Sequence, residues 1–331
     1  MIKLFLFLQA FVMAGAALAQ QAPAANSPAA SSDPLFTSVV KIDTKAVNDA
    51  QSNATLGPKR SGSGVIIGPQ LVLTIGYLML EAEEVDVTSS RGKRIPGNVL
   101  GYDHATGFGL IKTLVPIEGR ILELGDSGAV KEKQKLLTLG QGESESTEVT
   151  VISRKAFSAS WEYALEKPLF TSPPVNNWSG SALATPEGRL VGIGSLIVND
   201  AADGDTKLPG NMFVPTDLLK PILNDLVAQG RRKGPVQPWL GMTTETIRGK
   251  LYVTRLSKEG PAQEAGLNAG DIIVGVGSQK VGDLGDFYKK LWASGAAGTT
   301  FALQVQRGEQ TQEFQVKSID RSDFLKKPKG I

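Results

Sequence analysis

The chain has 331 residues, 41% hydrophobic, 21% charged and only 6% aromatic, with 37 Gly and 18 Pro, which fits two cored domains or one large one, excludes a disordered polymer and favours a turn-rich, strand-rich fold over a helix bundle. Lys and Arg number 35 against 33 Asp and Glu, so no basic excess points to nucleic acid. There is no cysteine and one histidine, His104, which excludes disulfides, thiolate zinc sites, a Cys nucleophile and a multi-histidine metal centre; no cofactor or metal is expected.

Residues 1–19 read as a signal peptide: Lys3, an apolar run from Leu4 to Ala16, then the small residues Ala17-Leu18-Ala19. The run is short of the roughly 20 residues that span a bilayer, so cleavage, export and no remaining membrane span are expected. A cysteine-free exported chain suits a bacterial periplasm. Residues 20–35, rich in Ala, Pro, Ser and Gln, read as a flexible leader.

From Phe36 onward, short strand patterns alternate with turns. Val39–Ile42, a hairpin of Gly64–Ile67 and Leu71–Thr74 around Gly68-Pro69, Val85–Thr88, Ile95–Leu100, Gly109–Ile111, Lys135–Leu139, Val149–Ile152 and Arg189–Ser195 form the series. Such regular short strands predict one or two barrels. Thr216 to Gly230 carries helical spacing at Leu218, Leu219, Ile222, Leu223, Leu226 and Val227, with Thr216 as N-cap and Gly230 at the C-terminus. Residues 231–237, opening on Arg231-Arg232-Lys233, read as a solvated linker. Residues 238–320 then form a mixed α/β module: a strand at Leu251–Val253, a short helix from Pro261 to Ala265, a strand within Gly270–Val276, a helix face of Leu284, Phe287, Tyr288, Leu291 and Trp292, and a strand at Phe301–Val305. Residues 321–331 are left as a tail. The acidic loop Asp200, Asp203, Asp205 does not match the calcium-loop spacing and reads as solvated surface.

The order of these segments resembles the HtrA (DegP-like) family. The anchors are Ser61-Gly62-Ser63-Gly64-Val65-Ile66-Ile67, Leu124-Gly125-Asp126-Ser127, Phe213-Val214-Pro215 ahead of the helix, Trp239-Leu240-Gly241-Met242, and Ala265 to Ile273. The resemblance spans Phe36 to Ser318 and implies a trypsin-like double β-barrel over residues 36–230 followed by a PDZ domain over 238–320. It also implies assembly as a homotrimer or with an active HtrA-like relative. The polar stretch from Lys45 to Lys59 matches the place of the family's regulatory loop and is read as flexible.

The positions that match the family's triad depart from it. Tyr77, in Thr74-Ile75-Gly76-Tyr77-Leu78-Met79, stands in the histidine's place, and Gly107, in Thr106-Gly107-Phe108-Gly109-Leu110-Ile111-Lys112, stands in the aspartate's. Ser179 remains in the nucleophile run, and Asn177 replaces the oxyanion-loop glycine two residues before it. A phenol with an ordinary pKa near 10 keeps its proton at neutral pH and makes a poor base, and Gly107 has no side chain with which to orient one. His104, after Asp103, is read as a solvent-exposed turn residue, and no lysine stands in a recognisable Ser–Lys motif.

By the same resemblance, Leu240, Gly241 and Met242 would offer backbone N–H groups to a peptide's terminal carboxylate, with Leu240, Met242, Phe287 and Leu291 lining the pocket for its last side chain. Phe287 and Leu291 fit an ordinary core equally well. The reading that follows is an exported, non-catalytic HtrA-like pseudoprotease that binds polypeptides or their C-termini. Two alternatives stay open: a serine endopeptidase using Ser179 with an unorthodox base, and a structural subunit of a larger exported assembly.

Overall fold

The computed structural model describes residues 34–141, 146–204 and 207–327. The expected signal peptide, nearly all of the leader, Asp205 and the last four residues lie outside them. Six strands, β1 (Val39–Ala46), β2 (Lys59–Gly68), β3 (Leu71–Ile75), β4 (Ala82–Thr88), β5 (Arg94–Tyr102) and β6 (Phe108–Thr113), close a first antiparallel barrel in the order β1-β2-β3-β6-β5-β4. Strand β1 alternates as the sequence does: Val40, Ile42 and Thr44 point inward while Lys41, Asp43 and Lys45 are partly exposed.

A second closed barrel follows from β7 (Lys135–Leu139), β8 (Thr147–Ser153), β11 (Leu169–Ser172), β12 (Ala182–Ala184), β13 (Leu190–Val198) and β14 (Gly210–Pro215), in the order β11-β14-β13-β12-β7-β8. Between β8 and β11 a separate hairpin leaves the barrel, β9 (Phe157–Ala159) and β10 (Tyr163–Leu165). One apolar cluster runs through both barrels, with Val65, Leu73, Phe108 and Leu110 of the first touching a core that includes Ile193, Val214 and Leu226 of the second half. Each such side chain, wholly buried, contributes about 1.5–3 kcal/mol, so the two barrels share their cohesion at the seam.

The third unit is a sheet in the order β15 (Met242–Ile247), β16 (Lys250–Leu256), β17 (Ile272–Val276), β19 (Thr300–Arg307), β20 (Gln310–Lys317), with β18 (Gln279–Lys280) paired to β17. Helices α3 (Pro261–Glu264) and α4 (Leu284–Ala293) cover it. The face read from the sequence is the one α4 buries: Phe287, Tyr288 and Leu291 have no exposed surface. Asp283 caps α4 by accepting from Asp286 N at 2.8 Å.

Several expectations are corrected. The helix read over Thr216 to Gly230 is a short 3-10 turn at Thr216–Leu218 and a separate α2 (Leu223–Gln229). Pro221, which lacks an N–H, lies in the gap between them. Thr216 caps nothing; its buried hydroxyl donates to the Leu190 carbonyl at 3.2 Å. Gly230 does end α2, at φ +75°. The stretch from Lys45 to Lys59 is ordered: it contains α1 (Asn53–Leu56), buries Val47 and Ala50, and Ser52 and Gln51 donate their amides to the buried Glu81 carboxylate. Nor is the linker merely solvated. Arg232 grips the buried Asp103 carboxylate with two bonds of 2.5 and 2.7 Å, while Lys233 N reaches Asp225 at 3.1 Å. The tail holds α5 (Arg321–Phe324), and Phe324 packs on Trp239 with ring centroids 4.6 Å apart and planes tilted by 45°.

Candidate functional site

The turn carrying Ser179 lies between the barrels and is fixed by close backbone approach. Ser179 O accepts from Ser63 N of β2 at 2.7 Å, and Gly180 N donates to Gly194 O at 2.9 Å. A Cβ on Gly62 would stand 3.0 Å from Ser179 Oγ and 2.6 Å from Leu78, which accounts for glycine in that anchor motif. Tyr77 sits on the 3-10 turn Gly76–Leu78 that follows β3. The structure brings Tyr77 and Ser179 together, with Tyr77 Oη 2.9 Å from Ser179 Oγ and 2.9 Å from the Ser195 carbonyl oxygen.

The proton bookkeeping of that trio is fixed by valence. A phenol has one proton and a carbonyl can only accept. Both contacts are satisfied when Tyr77 donates to Ser195 O and the Ser179 hydroxyl donates to Tyr77 Oη. Moving the serine proton onto a phenol that already carries its own would create an oxonium, so the pair holds a proton rather than relaying one. Burial pushes the Tyr77 hydroxyl up to about 12, against the pull of its hydrogen bonds at Ser179 and Trp178. A phenolate base is therefore out of reach at neutral pH.

Gly107 lies at φ +82°, and its carbonyl accepts from Gly76 N at 2.7 Å, next to Tyr77. The space a side chain would enter is walled by Tyr163, whose Oη stands 3.2 Å from an ideal Cβ and whose hydroxyl donates to Thr106 O at 2.7 Å. An aromatic ring from the β9–β10 hairpin thus borders the slot where a carboxylate would stand. Asn177 is exposed on the loop before Ser179.

His104 is not a free turn residue. Its Nδ1 lies 3.0 Å from Arg321 Nη1 and 3.2 Å from Tyr102 Oη, and its ring bonds the Glu162 backbone carbonyl. A guanidinium can only donate, so Nδ1 is the acceptor and the proton sits on Nε2. Burial first, then the Arg321 charge, hold the imidazole well below its ordinary value and therefore neutral. Its bonded partners are Arg321 of the tail, Tyr102 of β5 and the Glu162 carbonyl of the hairpin, and Ser179 is not among them. Asp200 of the acidic loop takes Lys155 Nζ on its carbonyl at 2.5 Å. Among the described residues no group of three or more His, Asp or Glu is placed to hold a metal ion, and no helix is long and apolar enough to cross a membrane.

The sequence reading missed Glu162, the residue that occupies the carboxylate loop. Ala159 pairs with Tyr163, leaving a three-residue turn, Ser160-Trp161-Glu162, with Glu162 at φ +60°. Its carboxylate accepts three amides, Leu240 N at 2.7 Å, Gly241 N at 2.7 Å and Met242 N at 3.0 Å. These are the three N–H groups expected to meet a peptide's terminal carboxylate. Gly241 adopts φ +77°, and a Cβ on it would stand 3.1 Å from the Trp239 ring. Two residues back, Ser160 O accepts from Thr244 N of edge strand β15 at 3.0 Å. Tyr288 of α4 bridges the same turn, accepting from Glu162 N at 2.9 Å and donating to Ala159 O at 2.8 Å. Beneath lie Leu240, Met242, Phe287 and Leu291, all buried in one cluster against which Ala164 of the hairpin packs. A lone acid in a turn without a motif carries no sequence signal of this contact.

Burial pushes the Glu162 carboxyl up to about 7, despite the three amides and the Arg321 charge that favour its ionised form. The groups facing it are those amides, Tyr288 from α4 and Arg321 from α5, with His104 on its own carbonyl. Since the ordinary value is 4.5, the docked carboxyl binds its proton more tightly than the free one. Its stabilising contribution is complete below about 4.5 and is lost as pH rises through about 7. The thermal midpoint of the wild type, measured against Glu162→Gln, is expected to show a smaller advantage at pH 8 than at pH 5. A larger advantage at pH 8 would contradict this sign.

Comparison with known proteins agrees with this architecture. A trypsin-like peptidase domain model matches residues 62–193 and a PDZ domain model residues 238–318. A serine protease Do-like HtrA of Lactobacillus helveticus is 25% identical over 320 residues, covering 88% of this chain and 76% of that protein. A probable periplasmic serine protease do/HhoA-like of Haemophilus influenzae is 24% identical over 277 residues, covering 77% of this chain and 57% of that protein. Among solved structures, an HtrA-type protease AlgW with a decapeptide shares the fold at a TM-score of 0.53 and 18% identity, over 91% of this chain and 99% of that one. The chain is accordingly HtrA-like, a trypsin-like peptidase domain followed by a PDZ domain.

Proposed function

We propose that the protein is an exported, non-catalytic HtrA-like pseudoprotease, working as a peptide-binding scaffold, chaperone or regulator in envelope protein quality control. The observation that carries the reading is the hydrogen bond between Ser179 and a phenol whose own proton is committed to Ser195 O. A serine hydroxyl becomes a competent nucleophile only when a neighbour can take its proton. Neither Tyr77 nor Gly107 supplies that service or its support, and loss of a triad's serine or histidine elsewhere costs about 10⁶ in rate. The barrels keep the form of a protease cleft while the PDZ domain keeps the loop that meets carboxylates. A relative whose name reads periplasmic supports export to that compartment. The proposed partners are polypeptide C-termini and unfolded segments, and assembly as a homotrimer or with an active HtrA-like relative belongs to the same reading.

The test is covalent. The purified protein, treated with a fluorophosphonate probe, is expected to remain unlabelled at Ser179 and to leave casein intact over hours, with or without an added C-terminal peptide. Labelling that disappears in Ser179→Ala, together with casein cleavage lost in the same variant, would overturn the proposal in favour of an endopeptidase with an unorthodox base.

A further inference from the structure

We propose that Glu162 is a built-in ligand of the PDZ carboxylate loop, so that the β9–β10 hairpin of the protease-fold half competes with any peptide ending in a free α-carboxylate. This deepens the reading of the PDZ domain as a peptide binder and rests on it.

Three independent contacts place the hairpin as a ligand rather than as a neighbour. The Glu162 carboxylate takes the amides of Leu240, Gly241 and Met242, all within 3.0 Å. Charge-assisted bonds of this kind are the strong ones. The Ser160 carbonyl, two residues earlier, takes the amide of Thr244, the strand-edge contact that an added peptide strand makes. Tyr288 clamps the turn from the helix side, binding Glu162 N and Ala159 O with one hydroxyl. Carboxylate loop, strand edge and helix wall are thus all engaged by residues 159–162. The same hairpin supplies Tyr163 to the wall of the Gly107 slot, so the segment that fills the PDZ groove also borders the degenerate cleft.

Occupation of the groove from within lowers the apparent affinity for an external peptide by the fraction of molecules in which the hairpin is undocked. An incoming peptide must offer what Glu162 offers, a carboxylate for three amides, and must also replace the Thr244 contact. Because Leu240, Met242, Phe287 and Leu291 form the apolar floor, the competing ligand is a peptide with an apolar last residue. Its binding displaces the hairpin and so separates the PDZ domain from the barrels at this point.

The experiment uses the full chain at pH 8, above the value of about 7 at which the Glu162 carboxyl ionises, and a fluorescein-labelled decapeptide ending in Leu-Leu-Val with a free carboxylate, with the same peptide as its C-terminal amide for control. Binding is followed by fluorescence anisotropy for the wild type, Glu162→Gln and Tyr288→Phe. Glu162→Gln keeps the shape of the turn and removes the charge; Tyr288→Phe removes only the bridging hydroxyl, which covers the case in which the first variant folds poorly. Both are expected to bind the acid peptide more tightly than the wild type, by about 10-fold for Glu162→Gln, and to ignore the amide. Equal affinity in wild type and variants overturns the built-in ligand while sparing the peptide-binding reading. No binding by any of the three overturns both.

Discussion

Gly180→Ala is expected to lower the thermal midpoint by about 10 °C, and Gly57→Ala by about 4 °C. Both glycines have positive φ, +74° and +73°, so both substitutions carry the backbone cost of a left-handed alanine, about 1–2 kcal/mol. They differ in what a Cβ would meet. At Gly57 there is nothing within 4 Å, whereas at Gly180 the new carbon would overlap the Ser63 carbonyl oxygen and stand 2.6 Å from Thr74 Oγ1. The obstacle is backbone of the other barrel, and it is itself held by Thr74, which donates to Ser63 O at 2.7 Å. Overpacking of this kind adds about 1–3 kcal/mol, and a domain of this size loses about 2–4 °C for each kcal/mol. Matched thermal melts of the two variants decide it. Equal losses would mean that the Ser179 turn is not held by this inter-barrel approach.

Restoring the family's triad residues, by Tyr77→His with Gly107→Asp, is expected to raise casein turnover by less than 100-fold over the wild type and to leave the protein less stable. A general base in working order contributes 10²–10⁴ by itself, so a gain above 100-fold would show that the surroundings had remained ready for catalysis. The structure argues otherwise. Position 107 is held at φ +82° by the bond from Gly76 N to its carbonyl, a conformation that costs an aspartate more than a glycine. Its new carboxylate would meet the Tyr163 hydroxyl, whose oxygen lies 3.2 Å from the ideal Cβ. That hydroxyl would have to leave Thr106 O to receive it. An acid captured by Tyr163 does not orient an imidazole at 77. The hairpin thus walls the position behind Gly107, and the side chains behind these positions matter as much as the positions themselves.

What could be read from the sequence follows from how each feature announces itself. In the first barrel β1, β4 and β5 keep one wet face, and β2, β3 and β6 show short apolar runs bounded by turn signals, so β1 to β6 were all foreshadowed. In the second barrel, β12 is three residues long and β14, Gly210–Pro215, is buried along its whole length, and neither shows a period of two. The triad positions were legible because each stands in a motif. The bond from Ser179 to Tyr77 and the Tyr163 wall were not, because they join residues far apart in the chain. His104 and Arg232 illustrate the same limit. A lone histidine in a turn and a basic triplet after a helix read as solvated, yet the fold closes α5 over the one and sets the buried Asp103 against the other. Glu162 is the extreme case, since its significance lies wholly in three amides nearly 80 residues away.

The chain on either side of the PDZ domain is anchored to the first barrel. Before it, Arg232 holds Asp103 at the end of β5; after it, Lys326 N donates to Glu81 at 2.8 Å, beside β4. With both ends pinned, a PDZ domain that lets go of the hairpin does not drift away on a leash. It pivots about the line joining the two anchors, so release would open a wedge over residues 159–162 and re-close on the same spot without a search.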